Sequence, residues 1–456
     1  GGTMNIIIVG AGKVGTTIAE QLSSENHNIT IIDLNQKKVE EAAEDFDILG
    51  VVGNGASYQV QMEAGVKDAD LLIAVTGADE LNLLCCLIAK KAGKCQTVAR
   101  VRNPMYSREV NFIKRQMGLS VVINPELTAA LEISKLLRLP YAKKVDTFAR
   151  GRVEMIKFRI HPELHVGGLK ISDIPQKMKC DVMICAIERK GQVIIPGGDV
   201  ALEDNDLVSM MAVPKETARF FKKIGIKTHQ VKSTLIVGGG TIAYYLAKQL
   251  LEMRVEVRII EQRKERCEEL SELLPEATIL QGDGTDKELL LEEGLKHTEA
   301  FVALTNMDEE NLMLAMLARK YSDAKQIAKV NRIHFEEVID DLDIDSVIYP
   351  KNLTADHITR YTRAMQNSMG SNVETLYKIL DGKAEALEFV IREESKVTGY
   401  PLAELRLKDN LLVCYISRNG QLKIARGQDD LRVGDSVIVV TTHKGLDDIT
   451  DILERA

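Results

Sequence analysis

Tryptophan is absent from the 456 residues, and 11 Tyr and 9 Phe hold the aromatic share at 4 %. Proteins that grip single-stranded nucleic acid stack its bases on aromatic rings, so no nucleic acid partner is expected. Long apolar runs are missing as well: Leu83 to Ala89, among the longest, falls far short of the roughly 20 residues a membrane-crossing helix needs. Seven cysteines, an odd number without framework spacing, argue against a disulfide scaffold. Cys85 and Cys86 sit inside a helical apolar pattern and read as reduced core thiols. The first strand-like run, Ile6 to Val9, follows Met4 at once and leaves no room for a secretory leader, while Gly1 to Thr3 look like a cloning remnant. A cytoplasmic protein is expected.

What is present is ordinary globular material: 45 % hydrophobic residues, 28 % charged, a formal charge of −8. At roughly 150 residues per domain, length alone suggests about three domains. Internal similarity raises that to four. Ile6-Ile-Ile-Val-Gly-Ala-Gly12 is answered by Thr234-Leu-Ile-Val-Gly-Gly-Gly240, and Asp33 by Glu261, at an offset of 228. At an offset of 229, Gly53-Asn-Gly55 meets Gly282-Asp-Gly284, Ala74-Val-Thr76 meets Ala303-Leu-Thr305, Asn82 meets Asn311, and Ala99-Arg-Val101 meets Ala328-Lys-Val330. A period this long marks duplication of a whole domain rather than a solenoid repeat.

Within each copy, short Val/Ile/Leu runs alternate with helix-length segments, the pattern of a parallel sheet covered on both faces. The first copy predicts strands near 5–9, 28–33, 48–52, 69–75, 96–102 and 120–123, six strands of a doubly wound domain. Behind Asn124-Pro125, apolar residues Ala129, Ala130, Ile133, Leu136 and Leu137 recur at helical spacing until Pro140, predicting an exit helix from Leu127 to Leu139. Residues 152–225 then carry brief alternating runs split by Gly167-Gly168, Lys190-Gly191 and Pro196-Gly-Gly198, a small β-rich module that recurs at 383–454. The fold class is therefore α/β: two Rossmann-like doubly wound parallel sheets, each followed by a small β-rich α+β module, by tandem duplication. The expected domains are 4–140 and 229–365 for nucleotide binding, with small modules at 141–228 and 366–456.

Gly10-Ala-Gly12-Lys13-Val14-Gly15 falls where a strand gives way to a helix, the context that lends this motif meaning. Gly10 permits the turn, Gly12 lets phosphate approach the backbone, and Gly15 lets helix pack on strand; amides opening the helix face the phosphates. Asp33, 18 residues beyond Gly15 at a strand end, can accept from both ribose hydroxyls and repels a 2′-phosphate, which favours NAD over NADP there. In the second copy Gly238, Gly240 and Ala243 form the fingerprint and Glu261 takes the ribose position. Thr241 stands where Lys13 did, and Lys329 where Arg100 did. Lys13 and Arg100 can bracket a chain of phosphates. Thr76 and Asp79 flank the crevice, Asp79 alternatively capping its helix. Asn54 and Gly55, with Asp283 and Gly284 in the second copy, either line the adenine end or only build a turn.

Catalytic equipment is not evident: no Tyr-x-x-x-Lys in a suitable place, no Gly-x-Ser-x-Gly, no Cys with a plausible base. His161 and His165 are four apart, but Pro162 and Gly167-Gly168 argue for a loop, so they read as turn residues, not zinc ligands. Charge is unevenly shared, +3 over residues 1–228 and −11 over 229–456, which suits anionic phosphates or an acidic partner facing the first half.

Taken together, the fingerprint with Asp33, Gly53-Asn-Gly55, Ala74-Val-Thr76, the Ala-Arg-Val around Arg100, Asn124-Pro125-Glu126 and the trailing β module resemble the regulator-of-potassium-conductance (RCK, or KTN) family. The resemblance runs from Met4 to Ala456 and comes twice. It implies a regulatory subunit rather than an enzyme, assembled as a homo-oligomeric ring, typically a tetramer. Such a ring sits peripherally at the inner face of the cell membrane beneath a Trk-type potassium transporter or channel subunit. It implies binding of NAD/NADH and ATP/ADP that controls K+ flux, with Gly10, Gly12, Gly15, Asp33, Thr76 and Arg100 at the first site. Gly238, Gly240, Glu261, Asp283, Thr305 and Lys329 make the second. The departures at Thr241, Ala243 and Lys329 leave open whether both sites take one ligand. An NAD-dependent oxidoreductase and a nucleotide-sensing regulator of a different ion transporter are the alternatives.

Overall fold

Every residue of the opening strand β1 (Asn5–Val9) after its first is buried, as in a parallel strand covered on both faces. It leads into α1 (Lys13–Ser24), β2 (Asn28–Asp33), α2 (Gln36–Phe46), β3 (Leu49–Val52), α3 (Tyr58–Glu63), β4 (Leu71–Ala74) and α4 (Asp79–Ala92). β5 (Gln96–Arg100), α5 (Pro104–Arg108), α6 (Val110–Met117), β6 (Val121–Ile123) and α7 (Pro125–Arg138) complete the first copy. The computed structural model describes residues 2–332, 336–368 and 372–454. All six strands lie within two residues of their predicted ends. α7 begins two residues before the predicted Leu127 because Asn124 caps it, its Oδ1 accepting from the Leu127 amide at 3.1 Å, with Pro125 in the first turn.

The first small module holds β7 (Lys144–Phe148), β8 (Val153–Arg159), α8 (Ile174–Met178), β9 (Met183–Arg189), β10 (Gln192–Ile194), β11 (Leu207–Ala212) and α9 (Pro214–Lys223). The second copy repeats the first: β12 (Ser233–Val237), α10 (Thr241–Glu252), β13 (Glu256–Glu261), α11 (Lys264–Leu273), β14 (Thr278–Gln281), α12 (Lys287–Glu292), β15 (Ala300–Ala303) and α13 (Asp308–Tyr321). β16 (Lys325–Lys329), α14 (Glu336–Asp340), β17 (Ser346–Ile348) and α15 (Pro350–Ser368) follow. The last module holds β18 (Val373–Ile379), β19 (Ala384–Val390), β20 (Leu411–Arg418), β21 (Gln421–Ile424) and β22 (Ser436–Thr441).

Both parallel sheets are wound in one order, β3-β2-β1-β4-β5-β6 and β14-β13-β12-β15-β16-β17. The winding reverses between β1 and β4, and between β12 and β15. Outside the carboxyl ends of those strands lies the crevice where such sheets bind ligands. Like packs with like: Gly2–Ser134 and Lys232–Thr359 form one compact unit, Lys135–Val231 and the chain from Arg360 onward the other.

In the unit of small modules, the sheets run β10-β9-β11-β8-β7 and β18-β19-β22-β20-β21, all antiparallel. Phe148, Met155 and Met211 share one hydrophobic cluster with Ile379, Ala386 and Val440. At its centre the Sγ atoms of Cys185 and Cys414 lie 3.5 Å apart. The duplication extends to an ion pair on a buried carboxylate: Arg189 holds Asp206, and Arg418 holds Asp435, each with Nη2 at 2.8 Å. All seven cysteines are buried free thiols. Pro162–Leu164 is a single 3-10 turn and His165 is left-handed (φ 52°), so His161 and His165 do not share a helix face. Among the described residues no cluster of three metal-ligating side chains occurs, and no helix is long and apolar enough to cross a membrane.

Candidate nucleotide sites

Each site grows from a glycine turn between the first strand of its sheet and the helix that follows. Gly10 is left-handed (φ +111°), and a Cβ there would meet the Val75 carbonyl oxygen at 2.9 Å; one on Gly15 would lie 1.8 Å from the Gly10 oxygen. Gly12 differs, because a Cβ there meets nothing within 4 Å, and the same holds for Gly240. Both glycines occupy the N-cap of their helix without a side-chain cap. The first-turn amides of α1 and α10 therefore stay open toward the space an anion would take. Lys13 is exposed beside that space and Val14 half-buried; Thr241 is half-buried in the second copy.

Asp33 closes the turn from the end of β2. Its Oδ2 accepts from the Ala11 amide at 2.8 Å and its Oδ1 from the Asn35 amide at 2.8 Å. Glu261 does the same from β13, Oε2 accepting from Gly239 at 2.7 Å and Oε1 from Arg263 at 3.0 Å. Across the crevice, Thr76 hands its amide and hydroxyl to Asn82 Oδ1 at 2.8 and 2.6 Å, and Thr305 treats Asn311 likewise at 2.9 and 2.7 Å. Asn82 Nδ2 then donates to the carbonyls of Thr76 and Arg100, as Asn311 does to Thr305 and Lys329. These wholly buried asparagines clamp the ends of neighbouring strands. They are visible in the sequence only as a matched pair.

The clamp positions a cation. Arg100 is 9 % exposed; its Nη2 donates to the Thr76 carbonyl at 2.6 Å, and its Nε has no partner. Burial, then the neighbouring Arg102, depresses its pKa. Lys329 is equally buried, 9 % exposed, and burial lowers its pKa also. Neither cation is held in an ion pair among the described residues. A charge withdrawn from water without a bonded counter-ion is unfavourable. An anion in the crevice relieves it.

The remaining predicted residues serve the turns. Asp79 does not cap α4: its carboxylate accepts from the amides of Arg102 and Asn103, Oδ2 at 2.8 Å from the latter, and so fixes the loop after β5. Asp308 repeats this with Asn331 and Arg332. Asn54 Oδ1 accepts from the Ala56 amide and Asp283 Oδ1 from the Thr285 amide, each at 2.9 Å. A Cβ on Gly55 would strike Val9 Cγ1 at 2.2 Å, and one on Gly284 would strike Val237 Cγ1 at 2.2 Å, so close packing on the first strand requires glycine at both. Two further residues carry no signal in the sequence. Arg266 reaches back from α11 to the Gly239 carbonyl (Nε, 2.6 Å) and the Gly240 carbonyl (Nη2, 3.3 Å), and Arg263 folds its Nε onto Glu261 at 3.3 Å.

A duplicated doubly wound sheet, each copy with an open glycine turn, an acid at the end of its second strand and a trailing antiparallel β module, defines a tandem chain of the RCK fold. In agreement, TrkA-N domain models match residues 6–125 and 234–350, and TrkA-C domain models match 155–225 and 386–454. The chain belongs to the TrkA family of Trk system potassium uptake proteins. It is 34 % identical to Trk system potassium uptake protein TrkA homolog 1 of Methanosarcina mazei over 444 residues, 96 % of this chain and 97 % of that one. To the TrkA homolog of Archaeoglobus fulgidus it is 33 % identical (98 % and 100 % covered), and to TrkA of Halomonas elongata 31 % (97 % and 96 %). Among solved structures, the GsuK channel bound to NAD superimposes with a TM-score of 0.62 at 18 % identity, covering 97 % of this chain and 78 % of that one. The GsuK RCK domain gives 0.62 at 17 %, with 97 % and 93 % covered. These two likenesses establish the fold.

Proposed function

We propose that the chain is the nucleotide-sensing regulatory subunit of a Trk-type potassium uptake system. It binds NAD(H) and adenine nucleotides in its two crevices and converts occupancy into a change in K+ flux through a membrane partner. The buried Arg100, bonded to the Thr76 carbonyl and in no ion pair among the described residues, carries this reading: the arrangement favours a bound anion. NAD, which the GsuK channel of the same fold binds, fits these features. The open N-caps at Gly12 and Gly240 would take its pyrophosphate, and Asp33 and Glu261 the adenosine ribose. A bound dinucleotide brings hydride-transfer chemistry; in this reading the ligand acts as a signal. Lys13 and Arg100 would add contacts to a terminal phosphate and so distinguish ATP from ADP at the first site. A ligand shifts a regulatory equilibrium only by its difference in affinity for two states.

Membership in the TrkA family supports the ring assembly, its seat at the inner face of the membrane and the gating role. The test is calorimetric titration of the purified chain with NAD, NADH, ATP and ADP, joined to K+ flux measured with the co-purifying membrane subunit. Nucleotide-dependent flux supports the reading. Binding without any effect on K+ flux assigns the chain to a different transporter, and steady NADH consumption assigns it to the oxidoreductases.

A further inference from the structure

The two copies distribute positive charge differently along the crevice. In the first, the cation beside the phosphate turn is Lys13, and the ribose edge carries Asp33 held only by backbone amides. The residues aligned with Arg263 and Arg266 are Asn35, which caps α2 by accepting from the Lys38 amide at 3.2 Å, and Lys38, which is exposed. In the second copy Thr241 replaces Lys13. Two guanidinium groups stand nearby instead, Arg263 on the ribose-edge acid Glu261 and Arg266 on the carbonyls of the adjoining turn.

Their geometry is specific. Arg263 occupies the N-cap of α11, where Asn, Asp, Ser or Thr would stabilise the helix, and makes no cap there. Its side chain, 70 % exposed, lies against Glu261. Glu261 is 8 % exposed and already accepts from the Gly239 amide, the Arg263 amide and Arg263 Nε. Its charge is thus compensated by a cation where that of Asp33 is not. Arg266 covers the carbonyls of Gly239 and Gly240, its Nη1 paired with Glu269 at 2.7 Å. Around the ribose position the second site carries two guanidiniums, paired with Glu261 and Glu269, against one carboxylate and no bonded cation in the first. Arg beside the ribose edge is the arrangement that accommodates a 2′-phosphate.

We infer that the second site accepts an adenine dinucleotide bearing a 2′-phosphate, NADP(H), with Arg263 and Arg266 as its phosphate ligands, while the first site rejects it. The inference rests on the proposed nucleotide-sensing role. Single-site chains can be made by Gly12→Asp, which closes the first site, and Gly240→Asp, which closes the second. Neither position is crowded, and each carboxylate would stand where phosphate binds. Titration calorimetry of G12D with NADP+ and NAD+ should give NADP+ binding at least as tight as NAD+. G240D should prefer NAD+ by tenfold or more. In the G12D background, Arg263→Ala should weaken NADP+ about tenfold and NAD+ far less, with Arg263→Lys recovering part of the loss. If G12D binds NAD+ and holds NADP+ tenfold more weakly, the 2′-phosphate assignment falls and the nucleotide-sensing role stands. If G12D binds neither while its circular dichroism matches the parent chain, both fall at the second site.

Discussion

Tyr245 Oη sits 3.0 Å from Asn124 Nδ2 and 3.2 Å from Ser107 Oγ. Tyr245 belongs to α10, the helix that opens on the second phosphate turn, whereas Asn124 caps α7, the exit helix of the first copy. The aligned residue in α1 is Thr17, which instead bonds its own helix at Lys13 O. α1 reaches the other copy through Gln21, with Thr359 Oγ1 donating to Gln21 Oε1 at 3.0 Å. The helix behind each glycine turn is therefore bonded to the other copy's exit-helix region, and the two attachments are chemically unlike.

Tyr245→Phe should lower the unfolding free energy by about 1 kcal/mol, the usual worth of one internal hydrogen bond. In the full chain it should also shrink the effect of filling one site on the affinity of the other. Nucleotide binding at each isolated site should stay as it was. Denaturant titration and calorimetry check the two halves; undiminished coupling would show that Tyr245 is only a stability contact.

Arg100→Ala should weaken ATP by about tenfold or more, since hydrogen bonds from a cation to phosphate are the stronger kind, and NADH by less. Equal losses for both ligands in a binding titration would remove Arg100 from terminal-phosphate sensing. Stability of the ligand-free protein should move the other way: Arg100→Met removes a buried charge that makes no ion pair among the described residues and should leave stability unchanged or raised.

Gly12 and Gly15 should separate binding from folding. Gly15→Ala forces a methyl to 1.8 Å from a backbone oxygen and should destabilise the chain by several kcal/mol (~3 or more), within the range for severe overpacking and strain. Gly12→Ala enters open space, so its melting temperature should match the parent while nucleotide affinity drops. A Gly15→Ala chain as stable as the parent would contradict the packing described for the turn.

Much of this is legible in the sequence, and the reason lies in periodicity. β1 and β4 are near-continuous apolar runs buried on both faces, which a parallel sheet demands, and the two copies corroborate one another. β7 and β18 do not announce themselves as strands: Lys144–Phe148 and Val373–Ile379 mix charged and apolar residues because each lies at a sheet edge. At the sites, glycines and acids declare themselves by spacing. Arg266 does not, because its contact with Gly239 depends on how α11 is rotated against the turn, and that helix carries many charges of similar appearance. Asp79 misleads for a related reason, since an acid in a first helical turn reads as a cap until its amide partners in the next loop are known.

Lys329 predicts a pH dependence at the second site. Burial holds its pKa below the ordinary 10.5, so the unfolded chain binds the proton more tightly than the folded one. Stability of the ligand-free protein then rises with pH across the window between the lowered value and 10.5. An anion favours the charged form, so nucleotide binding there takes up a proton and weakens as pH climbs through that window. The first site carries a guanidinium, Arg100, at this position, whose ordinary pKa lies well above that of a lysine. Calorimetry of the single-site chains in two buffers of unlike ionisation enthalpy measures the uptake; Lys329→Arg should abolish it, and identical profiles for both sites would refute the assignment.

The central claim is that both crevices hold nucleotide as a signal and return it unchanged. Titration of the purified chain with NADH, followed by recovery and assay of the nucleotide, tests this most directly. Saturable binding that the paired Gly12→Asp and Gly240→Asp substitutions abolish, with NADH recovered intact, is the predicted result. Failure of either crevice to bind any nucleotide, or turnover of NADH to product, would contradict it.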